Sequence, residues 1–254
     1  MRVRVPKPMH GWRAFAGEVG VVVLGVLIAL GASQLLDAWQ WRQQIKQEKL
    51  IFENELLDSW GNAYVRIAVE PCLAGRVEQI TAQLNQPGTR WQAVQDRLDF
   101  GEGPKDFPTP YDPPFHQTPI VSEGWSNALA NGAVNHLPSD MEMQLALAYA
   151  DARRLDDYEH QERQAAARLA FLGTDRELSA ENRIAILQEV GVLSDIGDEI
   201  SVDSRQVINE ILAAGLDFRR EDLRSLWDQQ AVQGERKIRG SCVTEPQLQK
   251  PTKT

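Results

Sequence analysis

The sequence has very few of the residues that metal and redox sites require, with only two cysteines and four histidines among 254 residues. Two cysteines cannot form a four-cysteine zinc site, and Cys72 and Cys242 are too far apart to be a C-x-x-C motif. There is no Walker loop, and the single Gly-x-Gly, at residues 101–103, opens a proline-rich stretch rather than a helix. We therefore expect neither a metal ion nor another cofactor.

Motifs for nucleophilic and di-iron catalysis are also missing. Residues 124–128, Gly-Trp-Ser-Asn-Ala, lack the second glycine and the preceding strand of a nucleophile elbow. A di-iron bundle requires two Glu-x-x-His motifs, whereas the nearest approach, at residues 157–160, occurs once and begins with aspartate. The acidic residues around it are typical of a solvated helix face. The sequence therefore predicts no catalytic residues and no enzymatic activity.

Basic side chains are concentrated at the N-terminus. The formal net charge is −9, yet the first 18 residues carry four basic side chains and one acidic side chain, Glu18. The remainder is therefore more acidic than the chain as a whole. A body of this charge repels phosphate backbones and anionic lipid surfaces, so we expect no nucleic-acid partner.

One long hydrophobic run, residues 19–36, contains no charged residue. A helix of this length extends about 27 Å, close to the hydrocarbon thickness of a bilayer. Trp12 precedes the run, and Trp39 and Trp41 follow it, as is typical of aromatic side chains at the two interfaces. These features predict a transmembrane helix at residues 19–36, with the lipid bilayer as its partner.

The charge bias predicts the orientation of this helix. The basic tail, residues 1–18, is expected in the cytoplasm and the body, residues 37–244, in the periplasm of a Gram-negative bacterium, with the helix in the inner membrane. The small residues 31–33 also fit a cleavage site, so a cleaved signal peptide is the alternative. Helical sequence without a breaker continues beyond them, which favours an uncleaved anchor. Either interpretation exports the body.

Gly25, Ala29 and Ser33 recur every four residues and share one face of the predicted membrane helix. Small side chains on one face allow two transmembrane helices to approach closely, so a homodimer is one interpretation. The other is that glycine and alanine are simply common in such helices. The sequence leaves both open.

The body is predicted to be all-α, most simply an antiparallel bundle that grows from the membrane helix. An apolar stripe continues to Pro71, which should kink the helix or start a new one, and the pattern stops at residues 87–88. Ser139 and Glu142 have the spacing of a capping box at the start of a later helix. The further elements are helices over about residues 122–134, 139–172, 179–214 and 218–233, followed by a flexible tail at residues 245–254.

Residues 101–119 contain six prolines, which exclude a helix and a central strand. Phe107, Tyr111 and Phe115 are spaced by four within this stretch. A long loop of this kind is either a binding element or a strap that its aromatic side chains hold against the helices. The regular spacing of the aromatics favours the strap.

Cys72 follows the first long helical pattern, and Cys242 follows the last one. In an oxidising compartment two lone cysteines most simply form a disulfide with each other, which here would close a loop of about 170 residues. A redox-active pair is the alternative, but its usual close spacing is missing. We therefore predict a structural disulfide.

Several segments resemble a known group of proteins. Trp12, Phe15 and Glu18 with the hydrophobic run, residues 71–73 (Pro-Cys-Leu) and residues 125–134 are similar to segments of uncharacterised proteobacterial proteins that have one N-terminal membrane helix and a helical exported region. The resemblance would extend over most of the chain. It implies an uncleaved anchor and carries no activity or ligand with it.

Two functions fit these expectations. The first is a membrane-anchored, non-catalytic interaction or scaffold protein of the cell envelope, with an unknown envelope protein as its partner. The alternative is a periplasmic, sensor-like ligand-binding module that acts through a membrane partner. For that module the candidate ligand or partner surface consists of Tyr111, His116, Trp125 and His136, on the proline-rich loop and around the short helix after it.

Overall fold

The computed structural model describes residues 12–94, 96–99, 104–107, 110–114, 122–216 and 228–247. The chain divides into two compact units, Met1–Gln47 and Glu48–Thr254. The described residues are mostly helical, which confirms the all-α prediction at that level.

Helix α1, Trp12–Leu84, contributes residues to both units. In the first unit every residue from 15 to 30 is exposed. An 18-residue window of this helix has a mean hydropathy of 2.4, and none of it is buried within the protein. By length and composition α1 is able to cross a membrane, and it is the one such helix among the described residues.

In the second unit α1 runs through Pro71 as a single helix and ends at Leu84. The alternative in which Pro71 starts a new helix is therefore wrong. Proline removes one N–H from the helical ladder. The loss is tolerated here because the turns on either side are packed, with residues 59–69 buried before Pro71 and Leu73 buried after it.

A side chain from a later helix closes the C-terminal end of α1. Arg183 Nη1 donates to the carbonyl oxygens of Leu84 at 2.8 Å and Gln86 at 3.2 Å, and Nη2 donates to that of Arg90 at 3.3 Å. The last carbonyls of a helix have no partner within it. A buried guanidinium therefore does here what water does at an exposed helix end.

In the described part of the chain, four short strands form two antiparallel pairs. Strand β1, Arg90–Trp91, pairs with β4, Arg176–Glu177, and β2, Asp96–Asp99, pairs with β3, Pro104–Phe107. β3 lies within the proline-rich stretch predicted to be a loop. A two-stranded ribbon has only edge strands, and an edge accepts proline, here at the first position of β3 opposite Asp99.

Helix α2, Glu123–Ala130, is shorter than expected and is followed by a 3-10 turn at Ala133–His136. Helix α3, Ser139–Leu169, ends in a second 3-10 turn, Ala170–Gly173. The predicted capping box at the start of α3 is wrong. Pro138 occupies the N-cap, and no side-chain cap bond is made there, because Ser139 is already the first helical residue.

Helix α4, Ala180–Ala213, confirms the prediction for this region. Its N-cap is Ser179, whose side chain accepts from the Asn182 N–H at 3.1 Å, and Gly215 past its end has a φ of +67°. Part of the predicted last helix, residues 218–227, lies outside the described residues. The chain beyond it forms a π turn, Asp228–Val232, then α5, Gln233–Arg239, and a 3-10 turn, Gly240–Cys242.

The helices of the second unit are not all antiparallel to their neighbours. Arg154 of α3 pairs with Asp203 of α4, and Arg168 further along α3 pairs with Glu189 earlier on α4, so these two helices are antiparallel. In contrast, Tyr149 of α3 bonds Glu55 of α1. Glu162, which comes later on α3, bonds Arg66, which comes later on α1. α1 and α3 are therefore parallel. The long connection between residues 85 and 138 brings the chain back from the C-terminal end of α1 to the other end of the second unit, where α3 begins.

Aromatic side chains fill the space where α1, α2 and α3 meet. Trp125 of α2 stacks on Tyr149 of α3 with ring centroids 5.6 Å apart, and Phe52 of α1 packs against both rings in a T-shaped arrangement. Such pairs stabilise a core beyond the area that they bury. Trp91 is also fully buried, and its Nε1 donates to the Leu172 carbonyl oxygen at 2.8 Å.

The C-terminal segment is fastened to α1. Cys72 and Cys242 form the predicted disulfide, with Cα atoms 5.0 Å apart across a sequence separation of 170 residues. The N–H of Thr244 donates to the Ala68 carbonyl oxygen at 2.9 Å. Pro246, which lies in the tail predicted to be flexible, is buried.

We expect Cys72→Ser/Cys242→Ser to lower the unfolding midpoint of the detergent-solubilised full chain in denaturant. A crosslink over such a loop contributes roughly 5 kcal/mol in the chain-entropy model. The unsubstituted protein in excess reductant is the control and should unfold at the same midpoint as the double variant. A midpoint that neither substitution nor reduction changes would contradict the structural role of the disulfide.

Gly124 lies where α2 contacts α1, and a Cβ added there would meet Ile51 Cγ2 at 2.4 Å and Glu55 Oε2 at 2.9 Å. Gly124→Ala should therefore destabilise the fold by about 1–3 kcal/mol through overpacking. Gly191→Ala on α4 is the matched control, because its Cβ would meet nothing within 4 Å. It should stabilise the fold by up to about 1 kcal/mol. Thermal unfolding compares the two variants, and equal midpoints would argue against the close contact.

Candidate functional site

A buried ion pair joins α1 to α3 in the second unit. Arg66 is 4% exposed and Glu162 is 1% exposed, and Arg66 Nη2 donates to Glu162 Oε1. Tyr111 of the proline-rich stretch, 3% exposed, donates its hydroxyl to the same carboxylate oxygen at 2.6 Å. We call Arg66, Glu162 and Tyr111 the Arg66 cluster. Buried charges require this kind of pairing, because neither has water to solvate it.

The electrostatics keep Arg66 charged and the Tyr111 hydroxyl protonated. Burial lowers the pKa of Arg66, but the attraction of Glu162, with Tyr111 and Glu159, outweighs burial and leaves that pKa raised. Burial, opposed in part by Arg66 and reinforced by Glu162, raises the pKa of the Tyr111 hydroxyl. Arg66 is therefore charged and Tyr111 is a hydrogen-bond donor throughout the physiological pH range.

A cavity of about 250 Å³ opens beside this cluster, between α1 and α4. We call it the Arg66 pocket. Arg66 and Tyr111 form part of its wall, and Arg66 Nη1 is buried and has no hydrogen-bond partner among the residues that the structure describes. The other lining residues are Glu70, Leu73, Ala74, Val77, Glu78, Leu193, Ser194, Gly197, Asp198 and Ser201.

The charged groups of the pocket wall are mainly acidic. Glu70 accepts from Ser201 Oγ at 2.8 Å and from Arg205 Nη2 at 2.9 Å, which ties α1 to α4. Glu78 and Asp198 also line the pocket, and neither is buried. The lining thus has three carboxylates and one guanidinium, which is itself paired with Glu162.

Two other carboxylates of α1 have structural partners. Glu55 accepts from the Tyr149 hydroxyl at 2.7 Å and from the Gly124 N–H at 2.9 Å, so it holds α2 and α3 together. Glu48 accepts from the Asn131 amide at 3.0 Å. In the described part of the chain no group of three histidine, cysteine, aspartate or glutamate side chains is placed to hold a metal ion.

A second charged cluster lies between α3 and α4. Arg154 donates to both carboxylate oxygens of Asp203, at 2.6 and 2.9 Å, and is 2.8 Å from Asp151. Burial raises the pKa of Glu210 from 4.5 to about 8, and the carboxyls of Asp151 and Asp203 add to the rise, whereas Arg154 opposes it. Glu210 is therefore protonated in much of the folded protein at neutral pH.

The structure separates the residues of the predicted ligand surface. Tyr111 lines the Arg66 pocket. Trp125 stacks in the aromatic core against Phe52, which precedes Arg66 by 14 residues on α1. Because Tyr111 is buried, the strap interpretation of its segment is supported at this residue. His136 is exposed on the 3-10 turn after α2, and His116 lies outside the described residues.

The residues predicted for the membrane segment lie on α1 in the first unit. Trp39 is 60% exposed, and Gly25, Ala29 and Ser33 are exposed. Trp41 is intermediate in exposure, and the side chain of Trp12 lies outside the described residues.

Sequence reasoning missed Arg66. It was wrong about Glu162, one of the acidic residues around 157–160 that were assigned to a solvated helix face, because Glu162 is buried. Arg66 did leave a signal, because it is the one charged residue in residues 61–69, Gly-Asn-Ala-Tyr-Val-Arg-Ile-Ala-Val. A lone charge within an apolar helical stretch predicts a buried partner or a pocket. Its partner was not identifiable, because Glu162 lies among many acidic and polar residues of α3.

No protein-family model matches the chain, and neither a curated protein nor a solved structure shows significant similarity to it.

The raised pKa of Glu210 predicts how stability changes with pH. Between pH 4.5 and about 8 the folded state holds a proton that the unfolded state has released, so the free energy of unfolding falls as pH rises through this window. Glu210→Gln should reduce this fall, which denaturant titrations at pH 5 and pH 8 would measure. Glu199→Gln, on the exposed face of α4, is the control and should keep the fall. Identical pH profiles for the Glu210 variant and the unsubstituted protein would contradict the assignment.

Proposed function

We propose that the protein is a membrane-anchored, non-catalytic helical interaction or scaffold protein of the bacterial cell envelope, with its second unit in the periplasm. The observation that carries this proposal is the 18-residue apolar window of α1, in which no residue is buried by the protein itself. An apolar surface of that size needs a cover, and a bilayer is the cover whose thickness matches its length.

The flanking residues support both the orientation and the retention of the helix. The basic tail at residues 1–18 favours a cytoplasmic N-terminus in the inner membrane. A signal sequence near the N-terminus would have the same length and composition. The helix continues past residues 31–33 without a break, which favours an anchor that is not cleaved.

Self-association through the anchor is part of the proposal. Gly25, Ala29 and Ser33 share one face, and a Cβ added to Gly25 would meet nothing within 4 Å. The face is therefore open to a second copy of the same helix. An envelope protein that binds the second unit is the other expected partner.

The test is the behaviour of the full chain in bacterial membranes. We expect it to resist alkaline carbonate extraction, to retain residues 1–18 at its N-terminus, and to be crosslinked as a homodimer. Gly25→Ile/Ala29→Ile should reduce the crosslinked dimer without releasing the protein from the membrane, because both changes keep the helix apolar. Val23→Ile/Leu27→Ile is the matched control on the opposite face of the helix.

Three results would contradict the proposal in different ways. Release by carbonate together with an N-terminus beyond residue 33 would show a secreted, cleaved protein. A crosslinked dimer that is unchanged by Gly25→Ile/Ala29→Ile would show that the small-residue face does not mediate self-association. Affinity purification from solubilised membranes that recovers neither a second copy nor an envelope protein would argue against a scaffold.

A second candidate function is a ligand-binding module that acts through a membrane partner. The Arg66 pocket favours it, because a cavity lined by apolar side chains and a few polar groups is a typical binding arrangement. The pocket differs from the surface expected from the sequence, since Tyr111 is the one residue that the two have in common.

A further inference from the structure

Beyond its apolar run, α1 continues through residues 37–47, which still belong to the first unit. Trp41, Gln44 and Ile45 of this segment are half-buried, whereas its other side chains are exposed. The half-buried residues lie on one side of the helix at helical spacing. The exposed side is therefore available for contact with a partner.

Three glutamines occupy the exposed side. Gln40, Gln43 and Gln47 recur at spacings of three and four, so they project within about 60° of one another around the helix axis. Leu36, which is 61% exposed, projects in the same direction one turn earlier. We call Leu36, Gln40, Gln43 and Gln47 the glutamine face.

The glutamine face continues the small-residue face of the apolar run. Gly25, Ala29 and Ser33 project within an arc of about 80°, and the directions of Gln40 and Gln43 fall inside this arc. From Ser33 onward the residues of the combined face are spaced by three, four, three and four, which is the spacing of a coiled-coil seam. Two copies in contact through the small residues therefore have their glutamine faces next to each other.

The charges of the segment indicate which partner this face fits. Its charged side chains, Asp37, Arg42 and Lys46, all project outside the glutamine face. In a two-fold symmetric contact a residue at the centre meets the same residue of the second copy, so a charge there would meet its own kind. A glutamine amide both donates and accepts hydrogen bonds and can therefore pair with itself. An uncharged, self-complementary face on a charged segment fits a second copy of this chain.

The membrane topology sets the orientation of the two copies. Both have their N-termini on the same side of the bilayer, so their α1 helices are parallel, and two-fold symmetry then places like residues opposite each other. An amide at the core of a coiled coil specifies such a parallel, in-register pair at a cost in stability. The adjoining membrane helices offset this cost, because they hold the two glutamine faces at a high effective concentration.

We propose that two copies of the chain pair in parallel and in register through the glutamine face, which extends their contact beyond the bilayer into the periplasm. Gln43 of one copy contacts Gln43 of the other, and Gln40 and Gln47 do the same on either side of it. This proposal rests on the proposed self-association through the anchor, to which it adds an orientation and a second contact.

Cysteine crosslinking of the full chain in native membranes tests the contact. Both native cysteines are in the disulfide, so a single introduced cysteine reports its own surroundings. Gln40→Cys, Gln43→Cys and Gln47→Cys, oxidised with copper phenanthroline, should each form severalfold more disulfide-linked dimer than Arg42→Cys. Arg42 is exposed on another side of the same segment, so a dimer formed by random collision or by exchange with the native disulfide would appear there too.

A charge substitution tests the register. In the Gln40→Cys background, Gln43→Glu should lower the linked dimer severalfold, because two carboxylates then face each other. Arg42→Gln changes the net charge by the same amount outside the face and should leave the dimer unchanged. Differently tagged copies carrying Gln43→Glu and Gln43→Lys, expressed together, should restore a linked dimer between the two tags. A local disturbance of the helix by Gln43→Glu would not be reversed in this way.

The possible failures are distinguishable. Equal crosslinking at Arg42→Cys and at the three glutamine positions would overturn the proposal. Absence of crosslinking at the glutamine face, with a dimer that is still lost in Gly25→Ile/Ala29→Ile, would overturn it and leave self-association within the membrane in place. Failure of the Gln43→Glu and Gln43→Lys copies to pair would overturn the in-register contact. Carbonate extraction decides independently whether the chain is anchored at all.

Discussion

A charge buried in the middle of an apolar helix must meet an opposite charge, and this requirement fixes the arrangement of the second unit. Arg66 is that charge, and Glu162 of α3 meets it. An uncompensated buried charge costs several kcal/mol, so any register of α1 against α3 that separates the two groups is strongly disfavoured. The Glu55–Tyr149 hydrogen bond forms in the same register of α1 against α3, so it is compatible with the Arg66–Glu162 ion pair.

The ion pair also determines the chemistry of the pocket beside it. A guanidinium group has five N–H donors, and one carboxylate with one tyrosine hydroxyl nearby cannot use all of them. Tyr111 donates its hydroxyl to Glu162, and Arg66 Nη1 is buried without a hydrogen-bond partner among the described residues. The polarity of the pocket therefore follows from how the core is neutralised, and its mouth is acidic because Asp198 and Glu78 do not take part in that neutralisation.

The sequence predicted the local features well and the long-range ones poorly. The apolar segment of α1, the Ser179 cap of α4 and the Cys72–Cys242 disulfide depend on composition, on neighbouring residues, or on there being only one possible pair of cysteines. The parallel arrangement of α1 and α3 depends on which of many carboxylates Arg66 meets, and helical periodicity carries no such information. The prediction of Ser139 as the N-cap of α3 was wrong by one residue, because Pro138 occupies that position.

The contacts on either side of the Arg66 pocket hold it open without a ligand. At one end Glu70 is bonded to Ser201 and Arg205, and at the other Arg183 is bonded to the end of α1. α1 and α4 are therefore joined above and below the cavity, while the disulfide at Cys72 fastens the C-terminal segment to the same stretch of α1. A site whose walls are fixed in this way loses little conformational entropy when a ligand binds, so even a few polar contacts can give measurable affinity.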